Sequence, residues 1–272
     1  MMKVSDSPKT QAEMLANAIR QEIVRGVLKP GDRLGMAALQ ERYEVGVSPL
    51  REALSRLTTL GLVTAEGQRG FRVAQVSAGD LIDLMKTMVW VESLALRSAI
   101  AHGDRNWEAE IIASAHRLGI NDRDQSDARF FDETWEKNHR LFHRALVAAS
   151  RASRLLDYRA LLYENVDRYR RLSAFYERGT RDVDGEHRAL VDAVLSRDAD
   201  RAAGLMQEHL LETTRNLLRN DPSTAADVDN LIGEVATDIA YGLSARQGIA
   251  PSTATPEDRR SERNLAQMTA DA

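Results

Sequence analysis

Residues 45–73 read VGVSPLREALSRLTTLGLVTAEGQRGFRV, and this stretch decides the fold of the first part of the chain. Residues 48–60 carry leucines at helical spacing and are followed by Gly61, a residue type common just after a helix end. Ser48 stands where an N-cap belongs, and Pro49 would then be the first helical residue. The pattern predicts a short helix that begins beside a serine and stops before a glycine.

Two short runs of β-type residues follow that helix. Residues 62–65 and 70–74 flank a glycine-containing loop, which favours a hairpin. Upstream, residues 11–26 and 36–43 have the apolar spacing of two amphipathic helices, with a Pro-Gly turn at 28–32 between them. Helices in this order followed by a hairpin predict a winged helix-turn-helix.

From residue 78 onward, strand signals vanish and helical spacing dominates. The predicted helices cover residues 81–102, 107–118, 128–149, 155–178, 185–196 and 198–220. A run of helices with short breaks predicts an all-α bundle of six or seven helices. The expected fold class is therefore mainly α, with an N-terminal winged helix-turn-helix followed by an all-α helical-bundle domain.

The same patterns divide the chain into three parts. The first domain is expected at residues 1–76 and the second at residues 80–220. Residues 221–272 form an extra C-terminal segment, in which a short helix at 225–241 precedes a polar stretch. Because residues 248–272 are polar and contain Pro, Ser and Thr, we expect that stretch to be largely disordered.

Composition limits the classes of function. The 272 residues include no cysteine, which excludes disulfides and thiolate metal sites. No apolar run reaches the roughly 18–20 residues that span a bilayer, so we expect a cytoplasmic protein that makes no membrane contact. Residues 1–75 contain 11 Lys and Arg against 8 Asp and Glu, whereas the remainder contains 26 against 33. A mildly basic first domain ahead of an acidic body suits a nucleic-acid-binding module attached to a different second domain.

A winged helix-turn-helix reads DNA by placing its recognition helix in the major groove, while the wing and the first helix contact phosphates. Arg51 in that helix can form a bidentate pair with guanine, and Ser48 beside the helix N-terminus suits a phosphate. Side chains at the wing tip can reach a minor groove or a phosphate. The predicted DNA-binding residues are Gln40, Ser48, Arg51, Arg56, Gln68, Arg69 and Gly70. Alternatively, the arginines pair with neighbouring carboxylates on a solvated face.

Residues 12–75 resemble the N-terminal domain of the GntR family of bacterial transcription regulators. The matching motifs are PGDRL at 30–34, SPLREAL at 48–54, GLV at 61–63 and RGF at 69–71. The resemblance implies a double-stranded DNA operator as a partner. Val47 and Ala37 depart from the family pattern, because many members carry basic residues there. Arg51 and the wing would then carry more of the operator contacts.

Four of the six histidines lie where they could converge. His139 and His143 are four residues apart and share one face of a predicted helix. His187 and His209 lie on two later predicted helices. Four imidazoles on three helices can bind a divalent transition metal of the zinc or nickel type without any cysteine. Alternatively, they are ordinary core or surface histidines, which is how we interpret the other two.

The second domain resembles the ligand-sensing FCD domain of the FadR-like branch of GntR regulators. The likeness is carried by the motifs FHRAL at 142–146 and EHRALVDAV at 186–194 and by the helix of residues 201–210. The resemblance implies a metal held by an aspartate and three histidines, which match His143, His187 and His209 here, facing a cavity for a small carboxylate. This chain has His139 where the family's aspartate usually stands. The fourth ligand is therefore either His139 or Glu136, one turn earlier.

Within that branch, the pattern of residues 135–143 together with the PLRE helix looks similar to the carbon-starvation repressor (CsiR-like) type. Members of that type respond to glutarate-like dicarboxylates, so the resemblance implies a small carboxylate effector. A carboxylate needs cationic or hydrogen-bonding groups beside the metal. The candidates on the next helix are Arg168, Tyr169 and Arg171. Alternatively, that run of charged residues is a solvated face.

These observations favour a metabolite-responsive transcriptional regulator, a repressor that binds its operator as a homodimer and is not an enzyme. The alternative is a metal-dependent hydrolase that uses the histidine cluster with Glu136 or Glu186 as general base. No HExxH motif, nucleophile elbow or phosphate loop is present in the sequence. A third interpretation is a scaffold or dimerisation protein whose wing no longer binds DNA.

Overall fold

The computed structural model describes residues 10–119, 133–173, 181–219 and 224–245. The first domain is formed by α1 (Gln11–Val24), β1 (Arg33–Leu34), α2 (Met36–Tyr43), α3 (Val47–Thr59), β2 (Val63–Ala65) and β3 (Phe71–Val73). The second is formed by α4 (Ala78–His102), α5 (Arg105–Leu118), α6 (Glu133–Val147), α7 (Ser153–Ser173), α8 (Val183–Leu195), α9 (Ala199–Arg219) and α10 (Val228–Ala245). This order, a winged helix-turn-helix followed by a helical domain, confirms the predicted fold class.

The core of the first domain follows from the apolar face of α3. Leu50, Leu54 and Leu57 are completely buried, and their spacing places them on one side of the helix. They share a buried cluster with Ile19 and Ile23 of α1. Burial of each leucine side chain stabilises the fold by about 1.5–3 kcal/mol. Packing of this face leaves the opposite, polar face of α3 open to solvent.

Strand β3 lies at the centre of an antiparallel sheet with the order β1-β3-β2. Val63 of β2 pairs with Val73, and Arg33 of β1 pairs with Arg72. The hairpin of β2 and β3 agrees with the sequence prediction, but β1 is not predicted. A strand of two residues is too short to show the alternation by which strands are recognised.

Helix α3 begins at Val47, and its N-cap is Gly46 rather than Ser48, so the predicted capping role of Ser48 is wrong. Glu44, the C-cap of the preceding helix α2, adopts the left-handed conformation with φ of 53°. Only one residue separates that C-cap from the N-cap of α3, so the chain re-enters helix early. Ser48 and Pro49 consequently lie inside the first turn, where a missing amide hydrogen costs little.

Helix α4 is the central element of the second domain and contacts α6, α7, α9 and α10. Met85, Met88 and Leu96 are buried on its faces. The helix begins at Ala78, earlier than predicted, because the side chain of Ser77 accepts a hydrogen bond from the amide of Asp80 and caps it.

Capping also sets the starts of α5 and α8. Asp104 accepts from the amide of Trp107, and Asp182 accepts from the amide of Gly185, so each helix starts two residues before its predicted start. Parts of two predicted helices, residues 128–132 and 174–178, lie outside the described residues.

Helix α10 packs across α4 and α9. Its buried side chains recur at helical spacing and are Val228, Ile232, Val235 and Ile239. The indole of Trp90 on α4 donates to the carbonyl of Ile239 at 3.4 Å. A helix is therefore present where residues 225–241 predict one, whereas the disorder predicted at 248–272 falls outside the described residues. Within the part of the chain that the structure describes, no helix combines the length and apolar character that a membrane crossing needs.

Candidate functional site

Three helices of the second domain bring the four predicted histidines together. His139 and His143 lie one turn apart on α6, and their Nε2 atoms are 3.1 Å apart. His187 comes from α8 and His209 from α9. The potential ligand atoms of all four lie within 4.8 Å of one another, and the residues are 0% to 5% exposed.

The chemistry of these imidazoles fits a metal. Buried polar nitrogens normally have hydrogen-bond partners, but both ring nitrogens of His187 and Nδ1 of His143 have none among the described residues. Burial lowers the pKa of all four imidazoles. Neighbouring histidines and arginines lower the pKa of His139, His143 and His187 further. For His209 burial outweighs the hydrogen bond to Glu186, which alone would raise the pKa. Neutral imidazoles keep the lone pair that a metal binds. The residues therefore suit a divalent ion of the zinc or nickel type.

Glu186 holds His209 in one orientation. Its Oε2 lies 2.7 Å from Nδ1 of His209, and Arg181 donates to the same carboxylate at 2.7 Å and 2.6 Å. Burial alone would raise the pKa of Glu186, but hydrogen bonds from His209 and Arg181 outweigh burial and lower that pKa to about 2. The ionised carboxylate of Glu186 accepts a hydrogen bond from Nδ1–H of His209, which leaves the lone pair of the neutral ring on Nε2.

Arg170 contacts the cluster from α7. Its Nη1 lies 3.2 Å from Nδ1 of His139, and the His139 ring stacks on Trp135 with centroids 4.7 Å apart. Because an arginine can only donate, Nδ1 of His139 accepts and the proton of the neutral ring sits on Nε2. In this arrangement His139 donates to His143.

His139, His143 and His209 border a cavity of about 200 Å³, together with Trp135 and Arg170. Its polar wall includes Arg170 and Arg181 with Glu136, and Met88 and Val166 form part of its apolar wall. The volume is below the roughly 300–1,000 Å³ of pockets for drug-sized ligands, so the cavity suits a small metabolite. Guanidinium groups beside neutral imidazoles are suited to binding a carboxylate.

The structure does not place Arg168 and Tyr169 in this cavity, contrary to the sequence prediction. Arg168 donates to the carbonyl of Ala74, and the hydroxyl of Tyr169 lies 2.5 Å from Oδ2 of Asp80. Each helical residue turns the side chain by about 100°, so neighbours in sequence face different directions. Among the side chains of this run that the structure describes, that of Arg170 reaches the cavity. The side chain of Arg171 lies outside what the structure describes.

The outer face of α3 presents the predicted DNA-contacting residues to solvent. Ser48 and Arg51 are exposed, and Val47 beside them is 50% exposed. Arg56, one turn further on, forms ion pairs with Glu52 at 2.8 Å and with Glu13 at 3.1 Å. A DNA phosphate or base would have to replace those carboxylates. The DNA contacts themselves stay predictions.

The wing tip is a short 3-10 turn at Gly67–Arg69. Arg69 is exposed there, and Gly70 follows with φ of 94°, a conformation that favours glycine. The amide of Glu66 donates to the carbonyl of Gly70 at 2.8 Å and closes the tip. The side chain of Gln68 lies outside the described atoms, and Gln40 is half-buried near the end of α2.

Sequence reasoning missed Arg170 and Arg181. Arg170 has one available signal, since it follows Tyr163 by seven residues and so shares its helix face. Arg181 precedes α8, where no periodicity applies. The position of the Arg181 side chain depends on a hydrogen bond that it donates to the carboxylate of Glu186, five residues later in the first turns of α8.

The hydrolase alternative gains no support from this geometry. A general base needs a pKa near the working pH, whereas Glu186 is bound by Arg181 and His209 and has a low pKa. Glu136 lines the cavity but does not belong to the cluster whose ligand atoms lie within 4.8 Å of one another. The arrangement therefore suits binding of a ligand better than proton transfer.

Two family models match the chain. Residues 11–73 match the bacterial regulatory proteins of the gntR family, and residues 83–212 match the FCD domain. Two solved structures support the fold. The structure of McbR/YncC from E. coli covers 77% of this chain and 97% of its own, with a TM-score of 0.63 and 19% identity. The transcriptional regulator GntR from Rhodococcus sp. RHA1 covers 77% and 98%, with a TM-score of 0.60 and 21% identity.

Similar sequences point the same way. The HTH-type transcriptional regulator BphR of Paraburkholderia xenovorans (strain LB400) is 40% identical over 193 residues, which cover 71% of this chain and 79% of BphR. The HTH-type transcriptional repressor GlaR of Escherichia coli (strain K12) is 38% identical over 197 residues, 71% of this chain and 89% of GlaR. The chain therefore belongs to the GntR family of bacterial transcriptional regulators, in the branch that carries an FCD domain.

Proposed function

We propose that the protein is a transcriptional repressor that binds its operator as a homodimer and releases it when a small dicarboxylate enters the second domain. The observation that carries the proposal is a cavity beside the buried four-histidine cluster, which is lined by His139, His143 and His209 together with Arg170 and Arg181. The name of the relative GlaR, a repressor, supports the sign of the regulation.

The first domain supplies the DNA contacts in this proposal. Arg51, exposed on α3, would form a bidentate pair with guanine in the major groove. Arg69 at the wing tip would contact a phosphate or the minor groove. A homodimer presents two such helices related by a twofold axis, so we expect a palindromic operator.

The second domain supplies the effector site. A zinc- or nickel-type ion at the four imidazoles would supply positive charge and a Lewis-acidic attachment point for one carboxylate. Arg170 is placed to bind the other carboxylate, because its guanidinium already lines the cavity. Turning Arg170 away from His139 would also free Nδ1 of that imidazole to take up the proton, so that its Nε2 could act as a ligand. A small cavity with two anion-binding groups suits a glutarate-like ligand.

Operator binding tests the first part of the proposal. Fluorescence anisotropy with duplex DNA from upstream of the protein's own gene, at one fixed salt concentration, should show tight and specific binding. Arg51→Ala should weaken it by about 1–3 kcal/mol. Arg105→Ala, an exposed arginine on α5, is the matched control and should bind like the wild type. Binding no tighter than to random DNA, or full affinity in Arg51→Ala, would contradict the proposal.

A thermal-shift screen tests the second part. Dicarboxylates of four to six carbons, added to the zinc-loaded protein, should raise its melting temperature, and a chelator should abolish the effect. Arg170→Ala should also abolish it, whereas Arg154→Ala, an exposed arginine on the same helix, should not. A shift that survives both the chelator and Arg170→Ala would place the effector elsewhere.

A further inference from the structure

Helix α7 forms part of the cavity wall. Tyr163, Val166 and Arg170 border the cavity. Their spacing of three and four residues places them on one face of the helix. Tyr163 and Val166 are buried, and Arg170 reaches His139. A ligand in the cavity therefore touches α7 directly.

The opposite face of the same helix is fixed to the DNA-binding domain. Asn165 donates through Nδ2 to the carbonyl of Leu60 at 2.9 Å, and Leu60 is the C-cap of α3. The last carbonyls of a helix have no partner within it, so this bond satisfies one of them from outside. Arg168, which is buried, donates to the carbonyl of Ala74 directly after the wing strand β3.

The segment between the two domains is held by α7 as well. The hydroxyl of Tyr169 lies 2.5 Å from Oδ2 of Asp80 and 3.3 Å from the amide nitrogen of Ser77. Ser77 is the N-cap of α4, so Tyr169 contacts the point where the second domain begins. Glu164 adds an ion pair with Arg20 of α1 at 3.7 Å. One helix thus contacts the recognition helix, the wing, the linker and the cavity.

We propose that α7 couples the cavity to the DNA-binding domain, with Asn165 and Tyr169 as the positioning residues that fix the recognition helix against the sensing domain. The inference rests on the proposed function, because it assigns the route by which a cavity ligand alters operator binding. A rigid helix that shifts or rotates moves its side chains on both faces together. Contact of a ligand with Arg170 would therefore displace the bonds at Leu60 and Ser77.

The first test compares operator affinity without ligand and with zinc and glutarate. In the wild type we expect the ligand to change affinity by about 5- to 150-fold. In Asn165→Ala and Tyr169→Phe this ratio should fall by about two- to thirty-fold, while zinc and glutarate still bind as in the wild type. Asp157→Ala, an exposed residue on the same helix, is the control and should keep the full ratio. An unchanged ratio in both variants would overturn the proposal.

A second measurement does not depend on the effector. The chain has no cysteine, so Glu41→Cys on α2 and Ala109→Cys on α5 place spin labels at those two sites alone, both of them exposed. Labelled chain diluted with unlabelled chain gives the distance between the domains within one protomer. Asn165→Ala, or Tyr169→Phe if the first variant fails to fold, should broaden this distance distribution.

The two measurements separate the two claims. If zinc and glutarate leave wild-type operator binding unchanged, the effector part of the proposed function fails, and the distances alone decide the role of α7. A distribution that broadens in Asn165→Ala but not in Asp157→Ala supports the role of α7. A distribution identical to the wild type in both Asn165→Ala and Tyr169→Phe overturns it.

Discussion

Replacement of Arg159 by methionine removes one half of a deeply buried ion pair behind the histidine cluster. The guanidinium of Arg159 donates to Oε1 of Glu92 at 2.7 Å and 2.9 Å, and to the carbonyl of His143 at 2.9 Å. The two side chains are only 8% and 0% exposed. Methionine keeps apolar bulk but leaves Glu92 buried without a counter-charge. Loss of one partner of such a pair costs about 3–5 kcal/mol, and we expect that loss here.

The chain offers a selective probe for this measurement. All the tryptophans, at positions 90, 107 and 135, lie in the second domain, so their fluorescence reports its unfolding in urea without a signal from the first domain. Arg154→Met, an exposed arginine on the same helix, is the matched control and should change the free energy of unfolding by less than about 0.5 kcal/mol.

The double variant Glu92→Leu with Arg159→Met tests whether the loss comes from the unpaired charge. Removing both charges leaves no buried group without a counter-charge, so the double variant should regain most of the stability that Arg159→Met loses. A loss below about 1 kcal/mol in Arg159→Met would refute the reasoning, because the smallest expected cost is about 3 kcal/mol. A double variant no more stable than Arg159→Met would refute it as well.

Two further substitutions test packing. Leu57→Ala removes a completely buried side chain from the core of the first domain and should cost about 2–5 kcal/mol in thermal unfolding followed by circular dichroism. Exposed Thr59→Ala is its control, and equal melting temperatures for the two would contradict the assigned core. Gly103→Ala would place a Cβ 1.9 Å from a ring carbon of Trp107, and should cost about 1–3 kcal/mol by tryptophan-detected urea unfolding. Gly79→Ala meets no atom within 4 Å and should not destabilise the domain; the argument fails if Gly103→Ala is equally harmless.

The first domain was largely predictable because its signals are local. Leu50, Leu54 and Leu57 repeat at the spacing of one helix face, and glycines mark the wing. What could not be predicted depends on the neighbours of each segment. The start of α3 follows from the tight turn after Glu44. The two residues of β1 form a strand because they pair with β3, Arg33 opposite Arg72 and Leu34 opposite Phe71.

The candidate site was predictable to a smaller degree. The spacing of His139 and His143 places them together on one helix, and the likeness to the FCD domain adds the other two histidines. The cationic side chains were not predictable in the same way. Residues 167–171 are all charged or aromatic, and only the rotation of α7 in the bundle decides that Arg170 faces the cavity. Arg181 depends on a fold-back contact with Glu186 that leaves no periodic signal.

Zinc titration by calorimetry tests most directly whether the four buried histidines form a ligand set. We expect one zinc ion per chain in the wild type. Loss of a side chain that only hydrogen-bonds to a metal ligand weakens metal binding by about 10–100-fold. Because His187→Ala removes a ligand itself, it should weaken zinc binding by more than that. His116→Ala, an exposed histidine on α5, should bind like the wild type. A wild type that binds no zinc, or a His187→Ala variant that binds it as tightly, would contradict the central claim.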